Sequence, residues 1–88
     1  MFRHGNAMAY TLHRLAAGSY DLALDDAIMG SVVQDISHAG QAKGWRVELL
    51  DDLPAVLKPH PFTQAEYHFP TLEAALAWLG DASVIEGD

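Results

Sequence analysis

The stretch "SYDLALDDAIMGSVVQDI", residues 19–36, decides the fold. Its first half alternates cleanly. Tyr20, Leu22 and Leu24 share one face of an extended chain, while Asp21, Ala23 and Asp25 share the other. The second half, residues 28–36, puts Ile28, Val32 and Ile36 on one face with Gly30 between them. Two such runs joined through Asp25, Asp26 and Ala27 read as a β-hairpin. Pairing Leu24 with Ile28 sets Leu22 opposite Gly30 and Tyr20 opposite Val32, all on one side. A two-residue loop would pair Leu24 with Ala27 and turn Ile28 and Val32 to solvent. A one-residue slip reverses a whole strand face, so the three-residue connection is expected. Gly30 marks either a bulge or a close approach of another element, and close packing under a helix is the preferred account.

Outward from the hairpin, "YTLHRL" (residues 10–15) alternates as a first strand, set off by the turn "AAGS" at 16–19. The polar segment "SHAGQAKG", residues 37–44, reads as a loop. Trp45, Val47 and Leu49 then alternate with Arg46 and Glu48, a fourth strand with one apolar and one charged face. Pro54, Pro59 and Pro61 bar residues 53–64 from a central ladder and make them an ordered excursion. "EYHF", residues 66–69, is at most a short edge strand. The helix is written in "PTLEAALAWLG". Leu72, Ala75, Leu76 and Leu79 form one apolar stripe, Thr71 is the N-cap, Glu73 complements the positive end of the dipole, and Gly80 is the αL C′ residue. Leu72, Leu76 and Leu79 should cover the sheet, with Trp78 closing its margin. The predicted class is α+β: an antiparallel meander of three to four strands, with a short fifth as an option, and one C-terminal helix on one face. Residues 1–9 read as a flexible leader with Met8 an alternative start, 10–80 as a single domain, and 81–88 as an acidic tail that frays unless Val84 and Ile85 dock.

Composition narrows the function. The 88 residues suit one domain with one modest core. There is no cysteine, which excludes disulfides, thiol catalysis and sulfur-ligated zinc and fits a reducing cytoplasm. No apolar run approaches the roughly 18–20 residues of a membrane span, and the start lacks a signal-peptide core. A cytoplasmic, soluble protein without membrane contact is expected. Twelve acids against five bases give a net charge of −7, which opposes binding to a phosphate backbone.

Candidate chemistry is sparse. Asp25-Asp26 and Asp51-Asp52 close two strands that run in the same direction with one strand between them, so both pairs fall at one edge of the sheet. Their separation of two strand spacings, roughly 9–10 Å, is too wide to chelate one cation unless the loops lean together. Calcium takes six to eight oxygens, and no EF-hand spacing is present. Solvated turns, where Asp bonds local backbone, are the preferred reading. His4, His13, His38, His60 and His68 are scattered and never paired at helical metal-site spacing. No serine lies in a G-x-S-x-G elbow and no glycine-rich loop cradles a phosphate. Neither catalytic residues, metal ligands nor cofactors are expected, and the chain is read as non-enzymatic.

"GWRVEL" followed by "FPTLEAALAWLG", together with "IMGSVV" earlier in the chain, resembles small uncharacterised bacterial sheet-plus-helix proteins over residues 20–80. In outline the chain is also similar to integrase arm-binding and AP2-type domains. That resemblance implies a three-stranded sheet laid on DNA through basic and aromatic side chains. The matching face here offers only Arg14 and Arg46 against Asp21, Asp35 and Glu48, so no functional residues carry over.

The sheet face away from the helix remains. Ala23, Met29, Val33 and Arg46 are placed on it as an interaction surface, because an uncovered, partly apolar patch marks a protein contact. Two alternatives stand beside this: the Pro-rich loop folds over the face with Val56, Leu57 and Phe62, or an edge strand pairs two copies into a homodimer. The expected function is a protein-interaction module or homodimer, its partner a protein. The first alternative is a diverged nucleic-acid-binding sheet using Arg14, Lys43 and Arg46. The second is a small-ligand or divalent-cation binder using the Asp pairs.

Overall fold

A computed structural model describes residues 10–37, 39–50 and 54–86. The leader, His38 and Asp51-Asp52 lie outside the described residues. The class is α+β, with a six-stranded, mostly antiparallel sheet and one short helix. The strands are β1 (Tyr10–Ala16), β2 (Ser19–Leu24), β3 (Ala27–Ile36), β4 (Ala42–Leu49), β5 (Glu66–Phe69) and β6 (Ser83–Ile85), in the spatial order β5-β4-β3-β2-β1-β6. The helix α1 (Leu72–Trp78) lies between β5 and β6 in the chain, and a 3-10 turn at Ala55–Leu57 lies in the Pro-rich segment.

The expected outline is corrected at its C-terminal end. The meander includes the optional short fifth strand at Glu66–Phe69, but a sixth strand follows, so the helix is not the last element. The acidic tail contributes β6, which pairs in parallel with β1 through Thr11↔Ser83 and His13↔Ile85. Successive reversals from β1 make β5 run the same way as β1, so β5 and β6 are parallel strands on opposite edges. The chain between them must cross the sheet, and α1 rides in that crossover. Thr71 accepts from the Ala74 N–H at 3.1 Å as N-cap, and Gly80, with φ +82, follows the C-cap Leu79.

The hairpin of β2 and β3 differs from the expected one at its turn. Tyr20↔Val32 and Leu22↔Gly30 pair as expected, but Leu24 pairs with Ala27 and Ala23 with Ile28. The loop is therefore the two residues Asp25 and Asp26, at φ 52 and 72, the positive values that both central residues of a type I′ turn adopt. Asp tolerates this region better than most side chains. The slip that a two-residue loop forces is absorbed by a bulge at Met29, the extra residue between Ile28 and Gly30. Met29 packs against the core, and Ile28 stands 49% exposed.

Gly30 needs its missing side chain for a different neighbour than the helix. A Cβ there would collide with the backbone carbonyl of Glu48 on β4. The core itself is one face of the sheet, with Leu12, Leu22, Val32 and Val47 fully buried, closed by Ala75 and Leu79 of the α1 region. Phe62 comes in from the Pro-rich segment onto this same face, 3% exposed, and its ring meets Tyr10, Tyr67 and Trp78 at centroid distances of 6.0, 5.9 and 4.9 Å.

Candidate functional site

Among the described residues, the covering elements α1 and Phe62 lie on one face of the sheet. The opposite face carries the side chains between the core positions, and their register places them in rows. His13, Asp21, Ser31, Glu48 and Glu66 align across five strands. One row toward the Gly18 turn come Val33, Arg46 and His68. One row toward the Asp25-Asp26 turn come Thr11, Ala23 and Ile28.

An ionic network ties β3, β4 and β5 on this face. Arg46 reaches Asp35 (Nη2–Oδ1, 3.5 Å) and Glu48 (Nε–Oε1, 3.4 Å). The Nε contact is ionic only: the atom is buried and has no hydrogen-bond partner in good geometry. His68 lies between Glu66 (Nε2–Oε2, 2.7 Å) and Asp35 (Nδ1–Oδ2, 3.7 Å). These groups are about a third or more exposed, so the pairs act mainly by fixing side-chain positions, since exposed pairs contribute roughly 0–1 kcal/mol.

Each residue of the expected surface can now be placed. Val33 and Arg46 are together on this face, paired across β3 and β4. Ala23 is on the face by register but is 1% exposed, so it offers no contact area. Met29 is turned into the core by the bulge. The residues that the sequence reading missed are Ile28, which takes the outward place, and Leu50, which is 66% exposed and whose N–H donates to the Met29 carbonyl at 2.9 Å. The signal that could have found them is the Asp-Asp pair itself, read as a type I′ turn with a compensating bulge.

Among the described residues the other candidates do not converge on one site. The Pro-rich segment does not fold over the open face in the way considered: Phe62 lies on the helix side, and Val56 and Leu57 are 87% and 63% exposed. Among the described residues no group of three His, Asp or Glu side chains is arranged to hold a metal ion, and no helix is long and apolar enough to cross a membrane. Arg14 leans on Glu86 at 3.8 Å rather than joining Arg46 and Lys43 in a basic patch. A pocket of about 150 Å³ between Tyr10, His60, Pro61 and Trp78 is well below the roughly 300–1,000 Å³ of a small-molecule site. Tyr10 donates there to the His60 carbonyl at 2.7 Å, and burial pushes its pKa up to about 12. The Tyr67 hydroxyl is held below the ordinary tyrosine range, first by its hydrogen bond with the Thr63 hydroxyl and then by the Thr63 and Gln64 N–H groups, against the opposing effect of burial.

No protein-family model, curated protein or solved structure matches this chain.

Proposed function

We propose that the chain is a non-enzymatic protein-interaction module whose partner protein docks on the open face of the sheet. The observation that carries this reading is the one-sidedness of the covering. Among the described residues, the helix and Phe62 both lie on the core face, while the opposite face presents Val33 beside a positioned Arg46–Asp35–Glu48 network. A rigid sheet bearing fixed charges and scattered apolar side chains is suited to a partner surface, not to chemistry on a small substrate. Charge argues against nucleic acid: Asp21, Asp35, Glu48 and Glu66 stand on this face against one guanidinium.

The test is capture of proteins from lysate of the source organism on the immobilised chain, with nuclease present, beside a Val33→Glu variant whose fold is verified by circular dichroism. Proteins retained by the native chain and lost by the variant support the module. Identical sets on both, or retention that vanishes with nuclease, overturn it.

A further inference from the structure

We infer that the docking surface has its anchor at Ile28 and Leu50, and that the partner meets it with an apolar side chain flanked by lysines or arginines. This inference rests on the interaction-module reading and names the chemistry of the partner. Two observations carry it. The first is the bulge. Where a bulge-free strand would alternate, β3 spends one extra residue so that Met29 goes inward and Ile28 outward, 49% exposed. Leu50, next to the bulge through its hydrogen bond to Met29, is 66% exposed, so two exposed large aliphatic residues stand beside the bulge at the Asp25-Asp26 end of the sheet. Bulges re-aim side chains in this way, and presenting such a pair to solvent is unfavourable unless something covers it.

The second observation is how charge is laid out along the strands. At the Ile28 end stand Asp25 and Asp26, both exposed at the turn, with Asp21 and Glu48 one row up. The basic residues of the strands stand away from that end: Arg14 opposite Tyr20, Arg46 opposite Val33, and Lys43 as the second residue of β4. An aliphatic pair rimmed by carboxylates complements a cationic segment with an apolar anchor. A second copy centred on this pair fits poorly, because a two-fold axis beside Ile28 would bring the adjacent Asp25-Asp26 turns of the two copies together.

The experiment is an amide NMR titration of the full chain with two probe peptides of equal length, one alternating lysine and leucine, the other alternating glutamate and leucine. The lysine peptide is expected to shift the amides of residues 25–30 and Leu50, and Ile28→Ser should weaken its binding at least about tenfold. Shifts spread equally over remote acids such as Glu73 and Asp81, equal binding of both peptides, or unchanged affinity of Ile28→Ser overturn the inference. So does concentration-dependent dimerisation of the chain alone, by sedimentation, that Ile28→Ser abolishes. The two readings fail separately. A partner protein retained alike by the native chain and Ile28→Ser but lost by Val33→Glu leaves the module standing and removes this anchor. The absence of any Val33-dependent partner removes the module.

Discussion

Replacing Met29 by threonine should cost several times more stability than the same replacement at Ile28, although the residues are neighbours of similar size and hydrophobicity. Met29 is packed against the core cluster from the bulge position. Truncating a core methionine costs about 2–5 kcal/mol; a partly buried one that keeps a branched stub belongs at the low end, about 2 kcal/mol. Ile28 is 49% exposed. Full burial of an isoleucine is worth roughly 1.5–3 kcal/mol, so its half-burial contributes about 1 kcal/mol, and threonine keeps part of that, leaving a loss of about 0.5 kcal/mol. In a domain this small each kcal/mol moves Tm by roughly 4–8 °C. Thermal melts followed by circular dichroism should therefore show Met29→Thr about 8–16 °C below the native chain and Ile28→Thr about 2–4 °C below it. An equal or larger loss at Ile28 would refute the bulge. It would mean that Ile28 faces inward across a three-residue connection.

Asp26→Gly should raise stability by about 0.5 kcal/mol, since relief of a left-handed side chain outweighs the glycine entropy cost and Asp-Gly is a favoured type I′ pair; a loss in urea titration would contradict the turn. Gly30→Ala should cost about 3 kcal/mol or more, because the new Cβ falls on the Glu48 carbonyl well inside the 3.0 Å limit of real contacts and β3 and β4 must separate; a near-neutral denaturation midpoint would refute that packing. The tyrosines should titrate apart in ultraviolet absorbance, Tyr67 early and Tyr10 near pH 12. Because folding raises the Tyr10 pKa from 10.0 to about 12, its contribution is complete below pH 10 and lost as pH climbs toward 12. Tyr10→Phe should flatten that alkaline slope in denaturation midpoints, and an unchanged slope would place the loss elsewhere.

How much of this fold the sequence revealed depends on the range over which each element is specified. The helix is legible because Thr71, the stripe through Leu79 and Gly80 lie within one short run and act locally. The middle of the hairpin is legible because matching the apolar faces of the two runs sets Tyr20 opposite Val32 and Leu22 opposite Gly30, a match the bulge preserves under the shorter loop. The β6 strand is not, because three residues have no pattern of their own and are ordered by pairing with Thr11, Leu12 and His13 at the other end of the chain. Phe62 was visible as an aromatic among prolines. Nothing in the local sequence says which face it covers, and that choice is made by its ring partners Tyr10, Tyr67 and Trp78.

The site was legible where parity holds and illegible where it breaks. Val33 and Arg46 lie past the bulge, in the register that alternation gives, and both are on the expected face. Ile28 and Met29 lie at the bulge, where one extra residue exchanges inward for outward. Both are apolar, so composition does not object to either orientation; a polar residue at one of the two positions would have revealed it. The exchange also has an energetic logic. A type I′ turn matches the twist of the flanking strands, and the bulge restores Val32 and Gly30 to the core face after the shorter loop has shifted the register. The cost is one large aliphatic side chain left in solvent beside two aspartates. The melts that rank Met29 against Ile28 therefore decide more than a register, because the side chain that can be lost cheaply from the fold is the one a partner can touch.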